Sequence, residues 1–80
     1  MADNVVGRGA AVEMVPMRSS KALESAGYEP ASRTLRVRFR HGGVYDYAGV
    51  PPEVYDGLLA DPHPWTHWGA RIKSYPCSRV

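Results

Sequence analysis

Thr34-Leu35-Arg36-Val37-Arg38-Phe39-Arg40-His41-Gly42-Gly43-Val44-Tyr45-Asp46-Tyr47-Ala48 is the stretch that decides the fold. Leu35, Val37 and Phe39 alternate with Arg36, Arg38 and Arg40. A period of two is the strand period, so the apolar side chains share one face and the arginines the other. Val44 to Ala48 alternates in the same way, and the intervening glycines can adopt the positive φ of a tight turn. The stretch is therefore a β-hairpin. Placing Tyr45 and Tyr47 on the face of Val37 and Phe39 requires opposed residue numbers to sum to an even number. The expected pairs are Arg40 with Val44, Phe39 with Tyr45, Arg38 with Asp46 and Val37 with Tyr47, around a three-residue loop from His41 to Gly43. A slip of one residue would send both tyrosines to the arginine face.

Outward from the hairpin the pattern weakens on the N-terminal side. Residues 1–11 are Gly- and Ala-rich without a period and are expected to be a flexible tail. Val12, Met14 and Met17 alternate around Pro16, a pattern compatible with a short edge strand. Ser19 to Tyr28 supports two readings. Ser19 or Ser20 could cap a helix stopped by Gly27, or the segment could be a strand running into a turn at Glu29 to Ser32. On the C-terminal side, Val50-Pro51-Pro52-Glu53 has the composition of a helix start, and Val54, Tyr55, Leu58 and Leu59 follow at helical spacing. Asp61-Pro62-His63-Pro64 stops that helix. Trp65, Trp68, Ile72 and Tyr75 then recur as one face of a second helix, which Pro76 ends.

The chain has 80 residues, room for one domain with a limited core. No window is long and apolar enough to span a bilayer, and the N-terminus lacks the basic start and apolar run of a signal peptide. Cys77 is the only cysteine, which excludes an internal disulfide. These features lead us to expect a cytoplasmic protein with no membrane contact. The formal charge is only +2, but its distribution is uneven. Arg33, Arg36, Arg38 and Arg40 fall together without an acid, and Arg71, Lys73 and Arg79 form a second basic group.

Three arginines at alternate strand positions lie about 6.5–7 Å apart, close to the repeat of phosphates along a nucleic-acid strand. Guanidinium groups also offer each phosphate a bidentate partner. The expected nucleic-acid-binding residues are thus Arg36, Arg38, Arg40, Arg71 and Lys73. The same face would suit an acidic protein partner or self-association, and a plain solvated surface carries the same charges. Tyr45 and Tyr47 are expected to be structural, since aromatic residues in so short a chain mostly build the core. His63, His67 and Cys77 raise the thought of zinc. However, Pro64 separates the histidines and no fourth ligand is evident, so neither a metal site nor a cofactor is expected. No nucleophile, carboxylate pair or phosphate loop points to a reaction, and the protein is not expected to be an enzyme.

Ser19-Ser20, Gly27-Tyr28, Leu35-Val37-Phe39, Gly43, Tyr45-Asp46-Tyr47, Val50-Pro51, Val54-Tyr55 and Leu58-Leu59-Ala60 together resemble the KTSC domain, over about residues 15–76. That family is named for a domain at the C-terminus of some lysyl-tRNA synthetases and also occurs as small stand-alone bacterial and phage proteins. Its tyrosine-any-tyrosine motif is matched by Tyr45 and Tyr47. The resemblance implies a small α+β domain spanning 12–80, and it makes the Ala22 to Tyr28 segment a strand. The expected fold is a three-stranded antiparallel sheet, with strands near 21–28, 34–40 and 44–48, packed by helices near 51–60 and 65–75. The resemblance implies an RNA-binding module, by analogy with the synthetase association. Pro62 and Pro64 stand where family members commonly carry Ser-any-Gly, and Trp68-Gly69 precedes Ile72-Lys73 in place of an aromatic-asparagine step.

Overall fold

A computed structural model describes residues 12–80; the expectation of a tail over 1–11 lies outside the described residues. The central hairpin is strand β3 (Thr34–Phe39) followed by β4 (Val44–Tyr47). Before it runs β2 (Leu23–Glu29), preceded by the two-residue β1 (Val15–Pro16). Helices α1 (Pro52–Ala60) and α2 (Pro64–Ile72) follow, and the chain returns as β5 (Cys77–Arg79). The sheet is antiparallel throughout, in the order β1-β2-β3-β4-β5.

The strand reading of Ala22 to Tyr28 holds, and the helical alternative does not. Ser20 Oγ accepts the backbone N–H groups of Ala22 and Leu23, at 3.2 and 2.9 Å, so Lys21 and Ala22 belong to a turn and the strand opens at Leu23. The sheet has five strands where three were expected. The two additional ones are two and three residues long, too short to display a period, and are defined by their pairing with β2 and β4. The short edge strand read around Pro16 is β1.

Hairpin parity is as expected but the register is shifted by two residues. Arg36 opposes Asp46, Val37 opposes Tyr45 and Arg38 opposes Val44, which corrects the expected Arg38–Asp46 pairing. The loop is Arg40 to Gly42 and not His41 to Gly43. Phe39 C=O accepts from Gly42 N–H at 3.0 Å, and Phe39 N–H donates to Gly43 C=O at 3.1 Å. Gly42 and Gly43 both carry positive φ, 108° and 89°. Gly42 takes its positive φ inside the loop and Gly43 takes it in the pair that closes the loop with Phe39, whereas the expected register put both glycines in the loop. Because the shift is even, every side chain keeps its face.

Leu23, Ala26, Leu35, Val37 and Tyr47 project to the side covered by the helices, where they bury against Val54, Leu58 and Ile72. Helix α1 starts on Pro51 and Pro52, with Glu53 in its first turn, as proline geometry and the helix dipole favour. Helix α2 spans 64–72 and not 65–75. Pro76 restricts the residue before it, and the chain from Lys73 to Tyr75 closes in tight turns, with Ser74 N–H on Arg71 C=O and Tyr75 N–H on Ile72 C=O. Tyr75 still packs against the core from outside the helix. The helices meet at Gly57, where an added Cβ would lie 2.2 Å from Trp68 Cζ2.

Candidate nucleic-acid interface

The sheet separates the basic residues into groups with different surroundings. Arg36 lies on the face away from the helices and makes a bidentate pair with Asp46, Nε to Oδ1 at 2.8 Å and Nη2 to Oδ2 at 3.0 Å. The hydrogen bond to Asp46 raises the affinity of Arg36 for its proton. Arg40, at the hairpin tip, donates from Nε to Ser20 C=O at 2.9 Å and from Nη2 to Met17 C=O at 3.0 Å. It thereby ties the hairpin to the turn between β1 and β2. Arg38 is exposed, and its side chain has no hydrogen bond or ion pair among the described residues. Beside it on the same face, the segment from Val12 to Met14 lies over Gly27, whose missing Cβ would stand 2.5 Å from Glu13 C=O. Two of the three strand arginines thus hold the fold together, and part of their face is covered by the chain itself.

Arg71 and Lys73 belong to the helix layer on the other side of the sheet. The Arg71 guanidinium sits over the Trp68 ring, 5.7 Å from its centroid. Trp68 Nε1 donates to Asp61 Oδ2 at 3.2 Å. Asp61 also accepts the His63 backbone N–H and faces His67 Nδ1 at 2.8 Å. The His63 N–H is the largest cause of an Asp61 carboxyl held below the ordinary carboxylate range, with His67 and Trp68 adding to it. His67 is therefore engaged by Asp61, and Cys77 lies exposed on β5.

On the helix side of the hairpin the structure assembles a row of aromatic rings. Trp65 meets Phe39 edge-on at 5.3 Å, Phe39 stacks on His41 at 5.4 Å with 9° between planes, and Phe39 meets Tyr45 edge-on at 5.8 Å. The strand period brings Phe39 and Tyr45 to one face, and the turn returns His41 over Phe39. The register of β5 sets Arg79 opposite Tyr45, placing its guanidinium 5.7 Å from the ring centroid. Next to the row is a recess of about 370 Å³ lined by Phe39, His41, Tyr45, Tyr47, Lys73 and Cys77. No carboxylate lines it among the described residues. Phe39, Tyr45 and Trp65 are half-buried and His41 is exposed, so the row has both a packed base and accessible ring surface.

The two motif tyrosines have different environments. Tyr47 is 4% exposed and part of the core. Burial, and then the neighbouring Cys77, push its hydroxyl above the usual tyrosine range. Tyr45 keeps an accessible face beneath Arg79. Another tyrosine performs the architectural bond: Tyr28 donates its hydroxyl to Val50 C=O and stacks on Tyr55 at 5.3 Å. Of the expected binding residues, only Lys73 lies in the recess. Phe39, His41, Tyr45, Trp65 and Arg79 were not among them. The alternation that pairs Phe39 with Tyr45 was visible in the sequence, whereas Arg79 reaches Tyr45 only through β5.

Residues 19–75 match the KTSC domain family. A protein of Tsukamurella paurometabola is 55% identical over 47 residues, covering 59% of this chain and 69% of that protein. An uncharacterised protein of Stutzerimonas stutzeri is 48% identical over 40 residues, covering 50% of this chain and 56% of its own. Among solved structures, the crystal structure of a KTSC domain protein from Yersinia pestis superposes with a TM-score of 0.80 at 30% identity, over 88% of this chain and 99% of that one. With most of its length matched and its fold shared, the chain belongs to the KTSC domain family.

Proposed function

We propose that this domain is a non-catalytic module that binds single-stranded nucleic acid, RNA above all, along the row formed by Trp65, Phe39, His41 and Tyr45. The observation that carries the reading is the accessible aromatic row that ends under Arg79 and beside Lys73, with no carboxylate lining the recess among the described residues. Aromatic faces accept unstacked bases of any identity, and adjacent cations neutralise the backbone between them. The choice of RNA follows the association of the family with lysyl-tRNA synthetases and is by analogy. The strand arginines take a smaller part in this reading than their spacing suggested, because Arg36 and Arg40 spend their donors inside the fold, and of the three Arg38 alone has no side-chain partner among the described residues.

Fluorescence anisotropy with a labelled single-stranded RNA of mixed sequence tests this. With Lys73 and Arg79 neutralising about two phosphates, log K should fall against log salt with a slope near −1.4. Tyr45→Ala should lose a stacked base, weakening binding by about 1–3 kcal/mol. Lys73→Glu and Arg79→Glu should flatten the salt slope, while Arg38→Glu should have little effect. Affinity that survives Tyr45→Ala and both charge reversals but collapses in Arg38→Glu would overturn the assignment to the aromatic row.

A further inference from the structure

The proline between His63 and His67 does not part them. His63 is the N-cap of α2, Pro64 takes the first helical position, and His67 N–H closes the first helical bond on His63 C=O at 3.1 Å. The two rings therefore stand one helical turn apart, with centroids separated by 6.0 Å and planes nearly perpendicular. Nitrogen–metal bonds of about 2.0–2.1 Å on each side bring the centroids of two imidazoles that share one ion to roughly 5–6 Å. Both residues are exposed, and the His63 ring makes no hydrogen bond among the described residues, so it is free to turn toward its neighbour.

The His67 ring is held in place. Its Nδ1 faces both carboxylate oxygens of Asp61, at 2.8 and 2.9 Å. A carboxylate only accepts, so Nδ1 carries the proton, and in the neutral ring Nε2 carries the lone pair. Asp61 is itself fixed by the His63 backbone N–H at 2.8 Å and by Trp68 Nε1 at 3.2 Å. Histidines that bind metals usually donate their other ring nitrogen to a carboxylate in this way, because it orients the ring and makes the free nitrogen more basic. Among the described residues no group of three or more His, Cys, Asp or Glu side chains is arranged around an ion, so the protein's share is two nitrogens. Imidazole suits copper, nickel and zinc, and not the oxygen-seeking magnesium or calcium. We propose that His63 and His67 form an open two-imidazole site for a late first-row divalent cation, with His67 bonding through Nε2, Asp61 as its positioning residue and water in the remaining positions. The inference uses no residue of the aromatic row.

NMR of the imidazole nitrogens during a zinc titration of the full chain, near neutral pH and after chelator treatment, tests it. The His63 and His67 rings should move together in one saturating step. His67 should respond at Nε2 and keep its proton on Nδ1, while His41 at the hairpin tip stays put. Magnesium should move none of them. Asp61→Asn should weaken zinc by about 10–100-fold, the usual cost of losing such an outer partner. It should also release the fixed Nδ1–H tautomer of the metal-free His67, a nitrogen-shift signature that a merely structural role would not move. His63→Ala and His67→Ala, both at exposed positions, should each cost at least as much affinity while leaving the amide spectrum of the sheet in place. Zinc that moves one of the two rings alone, or that binds first at His41 or Cys77, would overturn the site. Equal affinity in either alanine variant would do the same, as would magnesium reproducing the zinc shifts. Affinity and tautomer both unchanged in Asp61→Asn would overturn the positioning role of Asp61.

Discussion

Gly57 sits in the middle of α1, a position where glycine is costly. Replacing it with alanine in an exposed helix interior gains about 0.8–1 kcal/mol from propensity alone. The structure reverses the expected sign. An alanine Cβ would lie 2.2 Å from Trp68 Cζ2, 2.6 Å from Cη2 and 2.9 Å from Cε2. Carbon atoms settle at about 3.5–4.0 Å, so the helices would have to separate by more than an ångström or the indole would have to leave its place. Leaving breaks the Trp68 Nε1 bond to Asp61 and the contact with Arg71. Overpacking of this kind costs about 1–3 kcal/mol, which outweighs the propensity gain at most of its range. Gly57→Ala is therefore expected to lower the urea-unfolding free energy by up to about 2 kcal/mol. The decisive measurement is the same substitution in a Trp68→Leu background, which lacks the ring atoms that clash. There Gly57→Ala should become stabilising by up to about 1 kcal/mol. An equal destabilisation in both backgrounds would refute the close approach of the two helices at this point.

A double-mutant cycle on Arg36→Ala and Asp46→Ala should return a coupling of about 1–2 kcal/mol, above the range of fully exposed pairs because the contact is bidentate and half-buried. The same cycle on Arg38 and Asp46 should give a coupling near zero, and the reverse outcome would restore the register expected from the sequence. The depressed Asp61 carboxyl bears on acid stability. Its folded value lies below its unfolded one, so its contribution is present above the unfolded value of 3.8 and is lost as pH falls through the lower folded value. Asp61→Asn should make the acid limb of the stability profile shallower; an unchanged limb would remove Asp61 from the account of how α2 begins.

The face assignments of the hairpin were legible because a period of two survives any even register shift. The exact register was not, because Arg36 and Arg38 are equivalent partners for Asp46 in the sequence, and only the turn, which keeps Gly42 in the loop and pairs Gly43 with Phe39, selects between them. Helix starts at the paired prolines were visible from chemistry local to the first turn, whereas the end of α2 depended on how the chain leaves for β5. The spacing of the strand arginines was legible, but their availability was not. Arg40 reaches Ser20 and Met17 across about twenty residues of sequence, a contact that has no local signature.

By itself, the sequence determined what alternation and local chemistry can encode: the hairpin and its two faces, two proline-started helices, and membership of a small α+β family. Tertiary structure decided what depends on separate segments meeting. It added β1 and β5 by pairing, consumed Arg36 and Arg40 as structural ties, and brought Arg79 over Tyr45 and Trp65 against Phe39. The physical reason is that a side chain's direction follows from its own backbone period, while its partners follow from register and packing between segments distant in the chain.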